Sequence, residues 1–187
     1  LRPHIRETAR ILWLTYLVLT LGAFASYALL GMPWFDAACQ SLTTISTAGF
    51  STRNASFASF QSPAIEWAAM LFMFLSGVSF ALYFRAIRRG WKALLHDTEL
   101  RAYSLLFVFA LVLATAALMG RGTPITLVGT PEIAPIEANF WNSLRSAAFS
   151  VISLQTTTGY CTADFDYWPR IAIGMLLLLG FIGGCSG

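Results

Sequence analysis

Two short stretches of this 187-residue chain set hydroxyl side chains beside a glycine and an aromatic residue. They are Ser46-Thr47-Ala48-Gly49-Phe50-Ser51-Thr52 and Thr156-Thr157-Thr158-Gly159-Tyr160-Cys161-Thr162. Such a stretch offers backbone oxygen rather than a nucleophile. Glycine reaches positive φ at no steric cost, so the carbonyls around it can be turned toward one axis. Successive carbonyls aimed that way replace the hydration shell of a dehydrated cation. The residues that could do this are Thr47, Ala48, Gly49 and Phe50 in the first stretch, and Thr157, Thr158, Gly159 and Tyr160 in the second. Phe50 and Tyr160 are expected to pack outward and hold the loops open. One such loop cannot surround a large, weakly held cation, so further loops are implied.

Each loop needs an element to carry it to membrane depth. Pro33 stands where a helix would start and Asp36 falls in its first turn. The spacing predicts a half-helix over 34–46, whose dozen residues rise only about 18 Å. Residues 139–155 repeat that composition and predict a second half-helix. Helix C-termini pointing at the loops direct partial negative charge there, which favours a cation over an anion. Backbone that leaves helical geometry inside a bilayer survives only where protein or a water-filled cavity satisfies it. The two stretches form one repeat at an offset of 110, expected to run without a gap. Thr47 pairs with Thr157, Gly49 with Gly159, Thr52 with Thr162 and Ser76-Gly77 with Ser186-Gly187. Phe50 matches Tyr160, Asn54 matches Asp164 and Phe57 matches Tyr167.

Composition sets the solvent. Hydrophobic residues make up 57% and charged residues 11%, well under the roughly 25% charged of a soluble domain. Four uncharged stretches, 11–35, 67–84, 102–120 and 171–187, approach or exceed the roughly 20 residues that cross a bilayer. If each crosses once, eight Lys and Arg face three acidic residues on one side, and four face six on the other. The positive-inside rule places the first side in the cytoplasm. The expected architecture is an all-α membrane protein built from span, half-helix, loop and span. It comprises a cytoplasmic segment 1–10, a first unit 11–84 (half-helix 34–46, loop 47–52, span 64–84), a cytoplasmic connection 85–101 and a second unit 102–187 (half-helix 139–155, loop 156–162, span 169–187). The last span stops without a basic anchor and is expected to be truncated. Cys39, Cys161 and Cys185 are odd in number and widely spaced, which argues against a disulfide framework or thiolate metal site.

The two loops at this spacing, with Phe80-Ala81-Leu82-Tyr83-Phe84-Arg85-Ala86 and Trp91-Lys92-Ala93-Leu94-Leu95 between them, resemble the Trk/Ktr/HKT superfamily of potassium transporters. Within it they are similar to the TrkH-type potassium uptake subunit. The resemblance covers the whole chain and implies the second and third of four pore repeats around one K+ path in the bacterial cytoplasmic membrane. It implies filter glycines at Gly49 and Gly159, with K+ at filter carbonyls as the transported ion and no cofactor. It also implies a gating loop that begins Gly-Gly-x-Ser-Gly, here Gly183, Gly184, Ser186 and Gly187 around Cys185. Cys161 departs from the hydroxyl residue usual there. Implied partners are the remaining repeats of the parent chain, a second copy in a homodimer, a cytosolic nucleotide-binding regulatory subunit of the TrkA kind, and the lipid bilayer, with no nucleic acid.

Other readings stand beside this one. Asp164 and Asp166 are candidates for an outer vestibule that attracts cations. Arg145 lies inside the second half-helix, where a charge is costly without a partner. A Na+- or H+-coupled symporter would use the same loops between discontinuous helices. A polytopic membrane enzyme would need a nucleophile, base or metal cluster on the outer side, and no Ser-His-Asp, His-Glu-x-x-His or paired-carboxylate set occurs there. His4 and His96 are far apart and on the basic side.

Overall fold

A computed structural model describes residues 2–79, 82, 83, 85, 86, 97–122, 124–129, 135–137 and 139–183, with only the backbone for 2–8 and 121. Six α-helices have defined bounds, α1 (Arg2–Leu29), α2 (Trp34–Ile45), α3 (Pro63–Ser76), α4 (Thr98–Arg121), α5 (Phe140–Gln155) and α6 (Arg170–Ile182), and residues 82, 83, 85 and 86 are helical as well. Short 3-10 helices at Ser56–Phe60 and Phe165–Tyr167 follow the two glycine loops. Pairing among the described residues is otherwise limited to isolated bridges, Ile125 with Ile136 and Leu127 with Ala163.

The helices fall into two triples. Helices α1, α2 and α3 pack on one another, as do α4, α5 and α6, and α3 against α5 joins the triples. Asp97 starts α4 by accepting from the Glu99 and Leu100 amides, and Asn139 starts α5 by accepting from Asn142. The first core gathers Tyr27, Phe57, Met73 and Phe149, the second Ala110, Ala114, Val151, Trp168 and Leu176. Small residues such as Ala23, Ala69, Ala114, Ala147 and Ala172 are fully buried and let backbones approach, as apolar solvent requires. Outward faces stay apolar: Trp13, Val18 and Leu21 on α1, Leu105, Phe109 and Val112 on α4, Leu177, Leu178 and Phe181 on α6 are exposed. In water such a surface would aggregate; in lipid it is at home.

Two of the four expected spans are single long helices, with apolar segments Ala9–Leu29 and Thr98–Gly120. The other two are cut short. Helix α3 has 14 residues and α6 has 13, each rising about 20 Å against a hydrocarbon core of about 30 Å. Both stop at glycine. A Cβ at Gly77 would lie 2.6 Å from the Tyr103 hydroxyl oxygen and 2.7 Å from Thr156 Cγ2, so only glycine allows that approach. Gly183 ends α6 at φ 69° and ψ −176°, a region essentially closed to other residues.

The repeat is also less uniform than a gapless offset of 110. Helix α2 ends at Ile45 and α5 at Gln155, which keeps that offset. Helix α6, however, begins 107 residues after α3 and ends 106 after it, because the connection from α5 to α6 is shorter than that from α2 to α3, with a 3-10 helix of three residues against five.

Candidate cation site

Both glycine loops leave their helices by one route. Ser46 (φ −79°, ψ 0°) and Thr156 (φ −85°, ψ 0°) close α2 and α5, and Thr47 (φ 50°) and Thr157 (φ 57°) then turn left-handed. The Thr47 amide donates to the Thr44 carbonyl at 3.2 Å and the Ala48 amide to Thr43 at 2.9 Å. At the same positions 110 residues on, the Thr157 amide donates to Leu154 at 3.1 Å and Thr158 to Ser153 at 2.8 Å. This crossed pair is the Schellman closure, whose left-handed position is normally glycine. Here a β-branched threonine occupies it twice, at a strain of order 1–3 kcal/mol each. Gly49 (φ 70°) and Gly159 (φ 82°) follow two residues later.

The hydrogen bonds leave a remainder. The Ala48, Thr158 and Gly159 amides are spent on their own helices, while no described residue donates to the carbonyls of Thr47, Ala48, Thr157 or Thr158. Backbone carbonyls in folded chains nearly always have a partner, so four without a donor among the described residues set these loops apart. No basic side chain in the last turn of α2 or α5 offsets the helix dipoles ending there. The loops also touch. A Cβ on Gly49 would fall 1.9 Å from the Thr158 carbonyl oxygen, whereas one on Gly159 would meet nothing within 4 Å.

The two aromatic residues behave differently. Tyr160 is buried, and its hydroxyl reaches Thr43 Oγ1, Thr44 Oγ1 at 3.3 Å and the Gln40 carbonyl at 3.3 Å, all on α2. Its ring lies edge-on to Phe57 with centroids 4.6 Å apart, and its carbonyl accepts from Ser153 Oγ at 2.7 Å. Tyr160 is thus held by α2 and Phe57 of the first unit. Phe50 is 77% exposed and packs against nothing comparable among the described residues.

Gly183 lies beside the second loop, where a Cβ would sit 3.7 Å from Thr157 Cγ2; Gly184, Ser186 and Gly187 lie outside the described residues. Asp164 caps the 3-10 helix by accepting from the Asp166 amide at 3.1 Å, and Asp166 is exposed. The Cys161 amide donates to Ser56 Oγ at 3.3 Å. Arg145 finds Glu66 at the start of α3, Nε to Oε2 3.1 Å, with both side chains largely buried. At the other rim, Asp36 accepts from Thr52 Oγ1 at 2.6 Å and from Arg53 at 2.7 Å and 3.2 Å. The Thr52 hydrogen bond first, and then Arg53, hold the Asp36 carboxyl below the usual carboxylate range.

The sequence reading did not single out Gln40, Thr43, Thr44 and Ser153 as the seat of Tyr160. A signal was present: Gln40, Thr43 and Thr44 stand at i, i+3 and i+4, a polar face on an otherwise apolar helix.

Two long apolar helices, with shorter ones ending at glycine and largely exposed apolar faces, are the pattern of a helical membrane protein. Over residues 1–187 the chain matches the family described as "TrkH: Cation transport protein". The chain belongs to that family of multi-pass proteins of the cytoplasmic membrane, which are transporters rather than enzymes. It is 37% identical over 188 residues to the Trk system potassium uptake protein TrkH of Halomonas elongata, covering 100% of this chain and 36% of that protein. It is 34% identical over 188 residues to Trk system potassium uptake protein TrkG of Escherichia coli K12, with the same coverage. The crystal structure of the potassium transporter TrkH from Vibrio parahaemolyticus superposes with a TM-score of 0.86 at 32% identity, covering 100% of this chain and 38% of that one. The chain thus spans little more than a third of the relatives it matches.

Proposed function

We propose that this chain supplies two adjacent pore units of a K+ uptake protein, with α2 and α5 as pore half-helices and 47–52 and 156–162 as selectivity-filter loops. A K+ ion arriving from outside sheds water as the carbonyls of Thr47, Ala48, Thr157 and Thr158 take its place. The C-terminal dipole ends of α2 and α5 lower the cost of that exchange. Gly183, beside Thr157, begins a gating loop with Gly184, Ser186 and Gly187, and movement there opens or closes the path below the filter. Asp164 serves mainly as a cap, which leaves Asp166 as the outer carboxylate free to attract cations. The path is completed by further repeats of a parent chain, in a homodimer governed by a TrkA-like nucleotide-binding subunit.

The observation that carries this reading is the pair of matching Schellman closures, each holding a strained threonine and unpaired carbonyls. The test is radioactive rubidium uptake into proteoliposomes carrying the complete parent chain, wild type beside Gly159→Ser, with K+ and Na+ as competitors. Block by K+ far better than by Na+, weakened by the substitution, is expected, since the serine side chain projects into the open space before the loop. Unchanged selectivity would reject the filter assignment. Flux that saturates and follows a Na+ or H+ gradient would move the mechanism to symport.

A further inference from the structure

The two glycine loops are braced at their outer limbs by unlike means. In the first, the Asp36 carboxylate accepts from Thr52 Oγ1 and from Arg53. Carried forward by 110, those three positions are Ser146, Thr162 and Ala163, so both charges are gone. Thr162 Oγ1 is buried with no hydrogen-bond partner among the described residues. Something else must hold that limb. Four residues, 30–33, join α1 to α2, whereas eighteen, 122–139, join α4 to α5. A connection of that length usually has a task of its own.

Its described residues turn back onto the second loop. The Val128 amide donates to the Thr162 carbonyl at 3.1 Å and the Asp164 amide to the Thr126 carbonyl at 2.8 Å, on either side of the Leu127–Ala163 bridge. Ile125 is buried and exchanges backbone bonds with Ile136 at 2.9 Å and 2.8 Å, which anchors the segment on its own return limb. At the far end Gly129 (φ 66°) passes so close to the first unit that a Cβ there would lie 2.9 Å from Ala55 Cβ. Beside Ala55, Ser56 Oγ accepts from the Cys161 amide of the second loop at 3.3 Å.

We infer that residues 125–129 are an outer strap that sets the width of the second filter loop, with Gly129 as the positioning residue that lets the strap close on Ala55. This rests on the pore reading above. Carbonyls replace an ion's hydration shell only while they are held at its distance. Thr157 sits left-handed at φ 57°, and such strain persists only where the surroundings over-determine it. The strap supplies that constraint through backbone hydrogen bonds, as Asp36 does for Thr47 through a carboxylate.

The test uses the complete parent protein in proteoliposomes, with rubidium uptake under K+ or Na+ competition and hydrogen exchange over residues 160–164. Val128→Pro removes the amide that donates to Thr162, at a turn position ahead of a positive-φ glycine where proline is common. Gly129→Ala forces the strap off Ala55. Each should speed exchange over 160–164 and lower K+ over Na+ preference about fivefold, a change of about 1 kcal/mol. Adding Ala55→Gly to Gly129→Ala removes the opposing Cβ and should restore most of both readouts, whereas adding it to Val128→Pro should restore neither. Faster exchange with preference unchanged would make the strap a cover that does not set the filter, and would overturn the inference. A Gly129→Ala defect that Ala55→Gly leaves untouched would do the same. Wild type without K+ preference sinks the pore reading and the strap's role together, whereas preference kept by both variants sinks the strap alone.

Discussion

The two filter glycines should not be equivalent. Both have positive φ, so alanine at either costs about 1 kcal/mol in backbone strain, partly offset by about 0.4–1 kcal/mol from a stiffer unfolded chain. At Gly159 nothing more is added, because the new Cβ meets no atom within 4 Å. At Gly49 the Cβ lands 1.9 Å from the Thr158 carbonyl oxygen, a backbone atom. That oxygen must retreat by roughly 1 Å, and overpacking of this kind costs about 1–3 kcal/mol. Gly49→Ala should therefore be less stable than Gly159→Ala by about that amount, with a thermal midpoint a few degrees lower in detergent. It should also distort the Thr158 carbonyl in the neighbouring loop, so K+ over Na+ competition in rubidium uptake falls although residue 158 is untouched. Equal midpoints for the two variants, or a less stable Gly159→Ala, would refute the argument that the loops touch at Gly49.

Three further outcomes follow from the geometry. Thr157→Gly removes left-handed strain worth about 1 kcal/mol, so the midpoint should hold or rise while K+ preference drops; a clearly destabilised variant would show that Thr157 is not strained. Arg145→Ala strands the buried Glu66 carboxylate and should cost roughly 3–5 kcal/mol, whereas Arg145→Met combined with Glu66→Leu should cost much less; thermal midpoints that simply add would contradict the pairing. Asp36 has a lowered folded pKa, so its contribution is complete above the ordinary carboxylate value of about 4 and is lost as pH falls through the folded value. Limited proteolysis at residues 51–55 should therefore accelerate below about pH 4 in wild type. In Asp36→Asn it should be faster at neutral pH and nearly flat with acid, and an unchanged acid profile would show that another group governs this rim.

Much of this was legible because the signals are local. Pro33 and Asp36 mark the start of α2, and identical small residues at a fixed offset expose the doubled loop. The break in α3 was hidden, because hydropathy sums composition and cannot show that Tyr103 and Thr156 close on Gly77, whereas α6 ends at the glycine where the resemblance implies that a gating loop begins. Arg145 announced that it needed a partner, but Glu66 lies in the other triple and becomes its neighbour only when α3 packs on α5. That Tyr160 packs was readable from its place after glycine, whereas its hydroxyl partners lie on a helix made far earlier in the chain. The same rule applied to Phe50 led to packing that its exposed side chain does not show within this chain.

The seat of Tyr160 also orders events in time. Its hydroxyl bonds to α2 residues 116, 117 and 120 positions earlier. At a synthesis rate of roughly 5–20 residues per second, Thr44 precedes Tyr160 out of the ribosome by about 6–23 s, long enough for a twelve-residue helix to settle. The second loop thus arrives at a template that is already made, and assembly of the pair proceeds from the N-terminal unit onward.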